Sequence, residues 1–194
     1  LAEGFDNDFI PIEMLNDKVL VLTNHGAPKY QLIAIDPSKP EIENWGIVIP
    51  ENENTLQSVY LFGNKIYADY LANACIKVEV FNVNGTYESD LDLPGICSIN
   101  HFNGTKTGTT LFYSYSSYNT PETVVKMNVQ GEKTEVYFAP ELKFDPDDYV
   151  VKQEFYKSKD GVEIPIFIIH HKNVLRAPSY INFPKLFKTS TRKT

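Results

Sequence analysis

A repeat of about 45 residues constrains the fold of this chain more than any other feature of its sequence. Three similar segments begin at Val21, Tyr67 and Phe112. Each reads as a strand, a polar loop, a second strand and a turn. A period near 45 residues with several short strands in each unit is typical of β-propeller blades. The sequence therefore predicts an all-β fold built from blades.

Each repeat has room for four strands. The predicted strands, in chain order, are Phe9–Leu15, Val19–Thr23, Tyr30–Ile35 and Gly46–Ile49; Leu56–Phe62, Lys65–Leu71, Cys75–Phe81 and Tyr87–Leu91; Ser98–Phe102, Thr110–Ser114, Thr123–Met127 and Lys133–Phe138. Turn pairs such as Gly63-Asn64, Asn84-Gly85 and Asn103-Gly104 separate them. No long stretch repeats its apolar positions with the helical period, so helix is expected to be scarce.

Residues 149–173 read as a β-hairpin, because two runs of alternating side chains flank a polar segment at 157–161. The Asp160-Gly161 pair supplies the residue tolerant of positive φ that a tight turn needs. The second run places four β-branched residues on one face: Val162, Ile164, Ile166 and Ile168. Such a face is expected to pack on a core.

The hairpin also carries a family resemblance. Its pattern FYxSKDGxxIPxFIxHxK, from Phe155 to Lys172, follows an acidic FDPDDY segment, and two upstream segments, Leu22–Asp36 and Phe112–Asn128, share the likeness. On these residues the chain resembles the prolyl oligopeptidase family of serine peptidases. The resemblance implies a seven-bladed propeller inserted before an α/β-hydrolase domain, with this hairpin just after the last blade.

The repeat and the resemblance together predict the domain organisation. A partial β-propeller is expected at 1–140, with blades at roughly 5–50, 52–92 and 96–140, followed by a linker at 141–148, the start of the hydrolase domain at 149–173 and a tail at 174–194. The linker is acidic and holds two prolines, which disfavour helix and sheet. The basic tail lacks the YGYGGF-like segment of the family and is divergent.

No catalytic residue is assigned from the sequence. An α/β-hydrolase presents its nucleophilic serine in a G-x-S-x-G turn, and no such motif occurs in this chain. The remaining serines, among them Ser114, Ser116 and Ser117, are predicted to lie in exposed turns or polar loops. No phosphate-binding or dinucleotide-binding glycine motif is present, so no cofactor-binding residue is assigned and no cofactor is expected.

No metal-binding residue is assigned either. His170 and His171 are adjacent on a predicted strand and therefore point to opposite faces, which prevents them from chelating one ion together. His25 and His101 are expected in a loop and at a strand end. The acidic segment at 145–148 lacks the central glycine and terminal glutamate of a calcium loop, and it is predicted to be a solvated linker.

The charge distribution excludes some partners. The net charge is −7, and residues 174–194 hold cations but no acids, so the rest of the chain is strongly acidic. Nucleic-acid binding needs clustered Lys and Arg, and it is therefore excluded for the acidic residues 1–173. No apolar run approaches the roughly 18 residues of a transmembrane helix, so no membrane partner is expected.

The cysteine pattern bears on the compartment. Cys75 and Cys97 could form a disulfide. Two cysteines without a framework of four or six are, however, more typical of small, buried, reduced side chains in a reducing compartment. The expected location is the cytoplasm, with the periplasm as the alternative. Asn84 and Asn103 satisfy the glycosylation sequon, but Asn-Gly is also the preferred pair of hairpin turns, which explains both without a sugar.

Three functional hypotheses follow. The first is a non-catalytic propeller fragment of a prolyl oligopeptidase, which gates substrate access in a serine endopeptidase that cleaves short peptides after proline. Its partners are the rest of the propeller, the catalytic domain of the parent chain and, through that parent, short proline-containing peptides. The second is a free-standing propeller-type module that binds a peptide or protein. The third, a propeller sugar hydrolase, lacks two acids in matching blade positions.

Overall fold

The computed structural model describes residues 6–130 and 133–174. Its strands, in chain order, are β1 (Phe9–Leu15), β2 (Lys18–Thr23), β3 (Gln31–Ile35), β4 (Gly46–Ile49), β5 (Thr55–Phe62), β6 (Lys65–Ala72), β7 (Cys75–Asn82), β8 (Tyr87–Asp90), β9 (Ser98–Gly104), β10 (Thr110–Ser116), β11 (Thr123–Asn128), β12 (Thr134–Phe138), β13 (Tyr149–Lys157) and β14 (Glu163–His171). Within the described ranges, helix is limited to two 3-10 turns, Ile42–Asn44 and Pro146–Asp148. No helix there is long or apolar enough to span a membrane. The predicted basic tail lies outside the described residues, apart from Val174.

The strands form three four-stranded sheets, each paired in chain order: β1-β2-β3-β4, β5-β6-β7-β8 and β9-β10-β11-β12. All of the pairings are antiparallel, and β13 and β14 form a separate two-stranded sheet. This arrangement confirms the predicted all-β fold of propeller blades followed by a hairpin. We refer to the three sheets as blades 1, 2 and 3.

Blade 2 is covered on both faces, and strand β6 shows how its sequence allows this. Ile66 and Tyr70 pack toward blade 1, whereas Tyr67 packs toward blade 3. Successive side chains of a strand point to opposite faces, so a strand between two neighbours must be apolar along most of its length. Blade 1 contributes Leu20, Leu22, Leu32, Ala34 and Ile49 to the first interface. Blade 3 contributes Leu111, Tyr113, Val125, Met127 and Val129 to the second.

Aromatic rings dominate the interface between blades 2 and 3. The ring centroid of Phe102 lies 4.9 Å from that of Tyr60, 5.8 Å from Tyr113 and 6.0 Å from Tyr67. Tilted aromatic pairs at these distances stabilise a core beyond the area they bury. A group of the Tyr and Phe side chains of this sequence therefore holds neighbouring blades together.

The two Asn-Gly pairs have different roles. The turn predicted at Asn84-Gly85 is confirmed: Gly85 has a φ of +84°, and a Cβ there would lie 1.8 Å from the carbonyl oxygen of Val48. The glycine is thus needed for both the turn and the close approach of blade 1.

The turn predicted at Asn103-Gly104 is wrong. Asn103 pairs with Phe112 inside the sheet, and the chain reverses instead at 105–108, where the amide of Gly108 donates to the carbonyl of Thr105 at 3.1 Å. A Cβ on Gly104 would lie 3.0 Å from the Phe62 ring. This glycine therefore makes room for an aromatic side chain of the adjacent blade, a need that local turn statistics do not contain.

The hairpin is regular, but its β-branched face is not covered as expected. β13 and β14 pair without interruption from Tyr149 opposite His171 to Lys157 opposite Glu163. Ile164, Ile166 and Ile168 are only partly buried, and no hairpin residue is fully buried. The expectation of a packed core is wrong for the described chain, because a two-stranded sheet needs a further layer to cover it.

Candidate functional site at the junction of blades and hairpin

The hairpin contacts the turn between β6 and β7 of blade 2. The side-chain amide of Gln153 donates to the backbone carbonyl of Asn73, and the thiol of Cys75 donates to Gln153 Oε1 at 3.6 Å. One glutamine therefore binds both the backbone and a side chain of this turn. The hairpin is placed over one end of the blades by contacts between residues that are 78 and 80 positions apart in the sequence.

A second attachment joins the hairpin and its linker to the loop between β10 and β11 of blade 3. The side-chain amide of Asn119 donates to the carbonyl oxygen of Pro146 at 2.9 Å. Asn119 Oδ1 in turn accepts from the hydroxyl of Ser117 at 2.7 Å, which fixes the orientation of the amide. The Tyr118 ring lies 5.2 Å from Phe167 of β14, between ring centroids.

The acidic linker is exposed, as predicted, yet it is also ordered by its own side chains. Asp145 Oδ1 accepts from the backbone amide of Asp147 at 2.9 Å and so caps the 3-10 turn Pro146–Asp148. The carbonyl of Asp148 accepts from the amide of Lys172 at 2.7 Å. The linker thus ends in a defined turn that sets the direction in which the hairpin leaves the blades.

Two cavities lie at this junction. The first, of about 240 Å³, is lined by Ala74, Cys75, Ile96, Cys97, Ser98, Ser116, Ser117, Tyr118 and Phe167. The second, of about 280 Å³, lies beside it between the connector at 94–96, the loop at 117–120 and the linker. Typical ligand pockets are somewhat larger, roughly 300–1,000 Å³. Each cavity is therefore suited to a side chain or a small molecule more than to a peptide segment.

The serines do not all lie where the sequence suggested. Ser114 was expected in an exposed loop, but it is buried within β10, where its hydroxyl donates to Glu122 Oε1 at 2.8 Å. β10 continues to Ser116, which explains the error. His101 is the cross-strand neighbour of Ser114, yet no hydrogen bond joins the two in the described chain. The site therefore presents no serine activated by a histidine.

His171 and His25 each pack against aromatic side chains. His171 lies 5.4 Å from the Tyr149 ring, between ring centroids, and its Nδ1 accepts from the amide of Asn173 at 3.1 Å. His25 lies 5.8 Å from Trp45 and 6.0 Å from Phe9 in the same way. Among the described residues, no three His, Cys, Asp or Glu side chains gather as metal ligands.

Two features of the site region had little or no sequence signal. Cys75 and Cys97 are both free thiols and line the first cavity together, which their separation in the sequence does not reveal. Burial raises the pKa of the Cys97 thiol to about 11 and also raises that of Cys75.

Asp69 is the second unexpected feature. It lies in β6 between apolar residues, is 8% exposed, and its Oδ1 has no hydrogen-bond partner among the described residues. Desolvation raises the pKa of this carboxyl to about 6. The sequence signal was an acid within an otherwise apolar strand, since aspartate is rarely buried without a partner.

The attachment through Asn119 can be tested by substitution. Asn119→Ala removes both side-chain hydrogen bonds of Asn119, and the bond to Pro146, which holds the linker, is worth about 1 kcal/mol. We therefore expect backbone amides of 149–171 to exchange with solvent about fivefold faster. Hydrogen exchange followed by mass spectrometry measures this change. Asn100→Ala in the same blade is the matched control, because its amide makes only long contacts of 3.4 and 3.5 Å. Equal exchange in both variants would contradict the attachment.

Comparison with known proteins places these observations in a family context. Residues 1–140 match the family model described as the prolyl oligopeptidase N-terminal β-propeller domain. The prolyl endopeptidase of Elizabethkingia meningoseptica is 34% identical over 174 residues, covering 90% of this chain and 24% of that protein. The dual function macrocyclase-peptidase of Galerina marginata is 32% identical over 165 residues, with 80% and 22% covered. The chain thus spans about a quarter of the length of these relatives.

Solved structures show the same likeness. One from a study of two prolyl endopeptidases, concerned with inter-domain dynamics, has a TM-score of 0.80 at 30% identity and covers 90% of this chain and 26% of its own. The apo structure of prolyl oligopeptidase B from Galerina marginata has a TM-score of 0.76 at 29% identity, with 88% and 25% covered. Most of the chain therefore has a structural counterpart in both.

Proposed function

Because the chain belongs to the prolyl oligopeptidase family, we propose that it is the part of a serine endopeptidase that gates access of short proline-containing peptides to the catalytic site. In this proposal residues 1–140 are blades of the propeller, 141–148 is the linker, and 149–173 begins the hydrolase domain. The partners are the remaining blades and the catalytic domain of the parent protein. Cleavage after proline belongs to that whole protein.

The observation that carries the proposal is the seat of the hairpin on the blades. Gln153 and Asn119 attach the hairpin and its linker to loops at one end of blades 2 and 3. A domain that continues from this hairpin would lie over the same end of the propeller. The loops around the two cavities would then form part of the wall between the domains, where they restrict the size of an entering substrate.

The proposal also assigns the chain no catalytic role of its own. No serine is hydrogen-bonded to a histidine in the described residues, and the sequence has no G-x-S-x-G turn. We expect the purified chain to release no product from a proline-containing fluorogenic dipeptide above the rate of buffer alone. Turnover that a serine-directed inhibitor abolishes would contradict this assignment. Tight binding of a peptide by a stable, monomeric chain would favour the free-standing binding module instead.

Gating can be tested in a chimera. Residues 1–173 would replace the matching quarter of the Elizabethkingia meningoseptica enzyme, and kcat/KM would be measured for a short and a long proline-containing peptide. We expect the short peptide to be preferred, and the preference to fall severalfold when Asn119→Ala and Gln153→Ala loosen the junction. The same chimera with Asn100→Ala is the control. A preference unaffected by loosening the junction would argue against gating by these loops.

A further inference from the structure

The two cysteines approach each other across the boundary between blades 2 and 3. Cys75 is the first residue of β7, and Cys97 directly precedes β9. These two strands come within 8 Å of each other between Cα atoms, although they belong to different blades. Both cysteines line the first cavity at the end of the blades that faces the hairpin. The fold therefore brings together two thiols from segments that are not neighbours in the sequence.

The surroundings of the two thiols differ in a way that suits stepwise oxidation. Cys75 is partly exposed and directs its thiol to Gln153 Oε1, whereas Cys97 is 7% exposed. A negative charge on Cys75 also contributes to raising the pKa of Cys97, which places the two sulfur atoms within electrostatic reach of each other. An oxidant from solvent thus meets Cys75 first and finds Cys97 close behind it.

We propose that Cys75 and Cys97 form a redox site, at which a peroxide oxidises the two thiols to an intramolecular disulfide that loosens the hairpin from blade 2. The site is independent of the proposed peptidase role, since it needs neither a substrate nor a catalytic serine. Its ligand class is a small peroxide, with hydrogen peroxide as the simplest member.

The reaction balances in two steps. Cys75 attacks hydrogen peroxide, the O–O bond breaks, and the products are a sulfenic acid on Cys75 and one water. The sulfur of Cys97 then attacks the Cys75 sulfur, the S–O bond breaks, and the hydroxide leaves as a second water with the proton of Cys97. Two electrons pass from the two sulfurs to the peroxide. A dithiol reductant reverses the change by thiol–disulfide exchange.

The disulfide removes a contact that holds the hairpin. The Cys75 thiol loses the hydrogen that it donates to Gln153, and its sulfur turns toward Cys97. Disulfide geometry requires the two Cα atoms to lie within about 7 Å, so the bond would hold the start of β7 close to the connector that precedes β9. Gln153 then keeps only its bond to the carbonyl of Asn73. The attachment of β13 to blade 2 is weakened as a result.

Burial sets the rate of the reaction. The reactive form of each cysteine is the thiolate, and burial raises the pKa of both thiols, so little thiolate exists at neutral pH. The dithiol therefore persists under mild conditions. Disulfide formation should accelerate about tenfold for each unit by which the pH rises, as long as the pH stays below the pKa of the attacking thiol.

The test uses the full chain treated with hydrogen peroxide, followed by thiol counting in denaturant and peptide mapping. We expect both thiols to disappear together, a mass lower by two hydrogen atoms, a cross-linked peptide that joins Cys75 to Cys97, and recovery with dithiothreitol. Cleavage of the linker at 141–148 by a protease should become severalfold faster in the oxidised chain. Gln153→Ala in the reduced chain should show a similar increase.

Matched variants separate this outcome from general oxidation. Cys75→Ser should keep the thiol of Cys97 under the same treatment, whereas Cys97→Ser should carry a sulfenic or sulfinic acid on Cys75. Loss of both thiols as sulfinic acids without a cross-link, or a disulfide between two chains, would overturn the proposal. The wild-type peptide map decides the question even if a serine variant fails to fold.

Discussion

Leu111→Ala is expected to lower the free energy of unfolding by about 3 kcal/mol, because the side chain is completely buried between blades 2 and 3. The substitution removes apolar contact and leaves a cavity in an interface that also holds Tyr113 and Val125. Chemical denaturation monitored by circular dichroism measures the loss. The melting temperature should fall by several degrees for a chain of this length.

The control for this prediction is Val136→Ala in the same blade. Val136 is 63% exposed on the outer strand β12, so its truncation should change stability by less than about 0.5 kcal/mol. If Leu111→Ala were as mild as this control, blades 2 and 3 would not be packed as the structure shows. Since this interface fixes the loops that seat the hairpin, Leu111→Ala should also accelerate hydrogen exchange at 149–171.

Asp69→Asn is expected to stabilise the chain at neutral pH and to lose this advantage in acid. Folding raises the pKa of Asp69 to about 6 from 3.8, because burial disfavours its charged form. Between pH 3.8 and about 6 the native state binds more protons at Asp69 than the unfolded state does. The contribution of Asp69 to the free energy of unfolding is therefore most favourable below pH 3.8 and is lost as the pH rises through about 6. This pKa shift lowers the free energy of unfolding of the wild type by about 3 kcal/mol at neutral pH.

The measurement is the difference in unfolding free energy between wild type and Asp69→Asn from about pH 4 to pH 8. The buried amide has a desolvation cost of its own, so the evidence is the change of this difference with pH and not its absolute value. Asp92→Asn provides the control, since Asp92 is exposed. A difference that stays constant with pH would show that Asp69 does not titrate as a buried acid.

Asp69 also bears on how the blades are assembled. Its strand partners are Ser58 in β5 and Val78 in β7, neither of which supplies a charge. A carboxylate in this position weakens the blade at neutral pH, and its Oδ1 lacks a partner among the described residues. The same buried face of the blade holds Tyr67 and Val78, so this unfavourable desolvation occurs within the aromatic interface that positions the hairpin.

Strand positions followed from local features of the sequence. Alternating side chains and turn pairs located every strand of the three blades, with ends that differ from the structure by at most two residues. The hairpin was located in the same way, because Asp160-Gly161 lies between two alternating runs. These features depend on neighbours within a few residues, and for that reason a single sequence displays them.

Errors arose where a residue serves a distant part of the chain. Gly104 looked like half of a turn, yet it makes room for the Phe62 ring of the adjacent blade. Ser114 looked exposed, yet β10 continues past it and buries it beside Glu122. In both cases the local pattern fits two structures equally well, and packing between sheets selects one of them.

Repeated four-stranded sheets and a following hairpin could be predicted from the sequence, because strand alternation and turn chemistry are local. Three features became visible only in the folded chain: Cys75 and Cys97 share a cavity, Asp69 is desolvated, and Gln153 and Asn119 attach the hairpin to the blades. Burial and hydrogen bonding at these positions depend on residues tens of positions away. Those residues become neighbours only when the blades pack against each other.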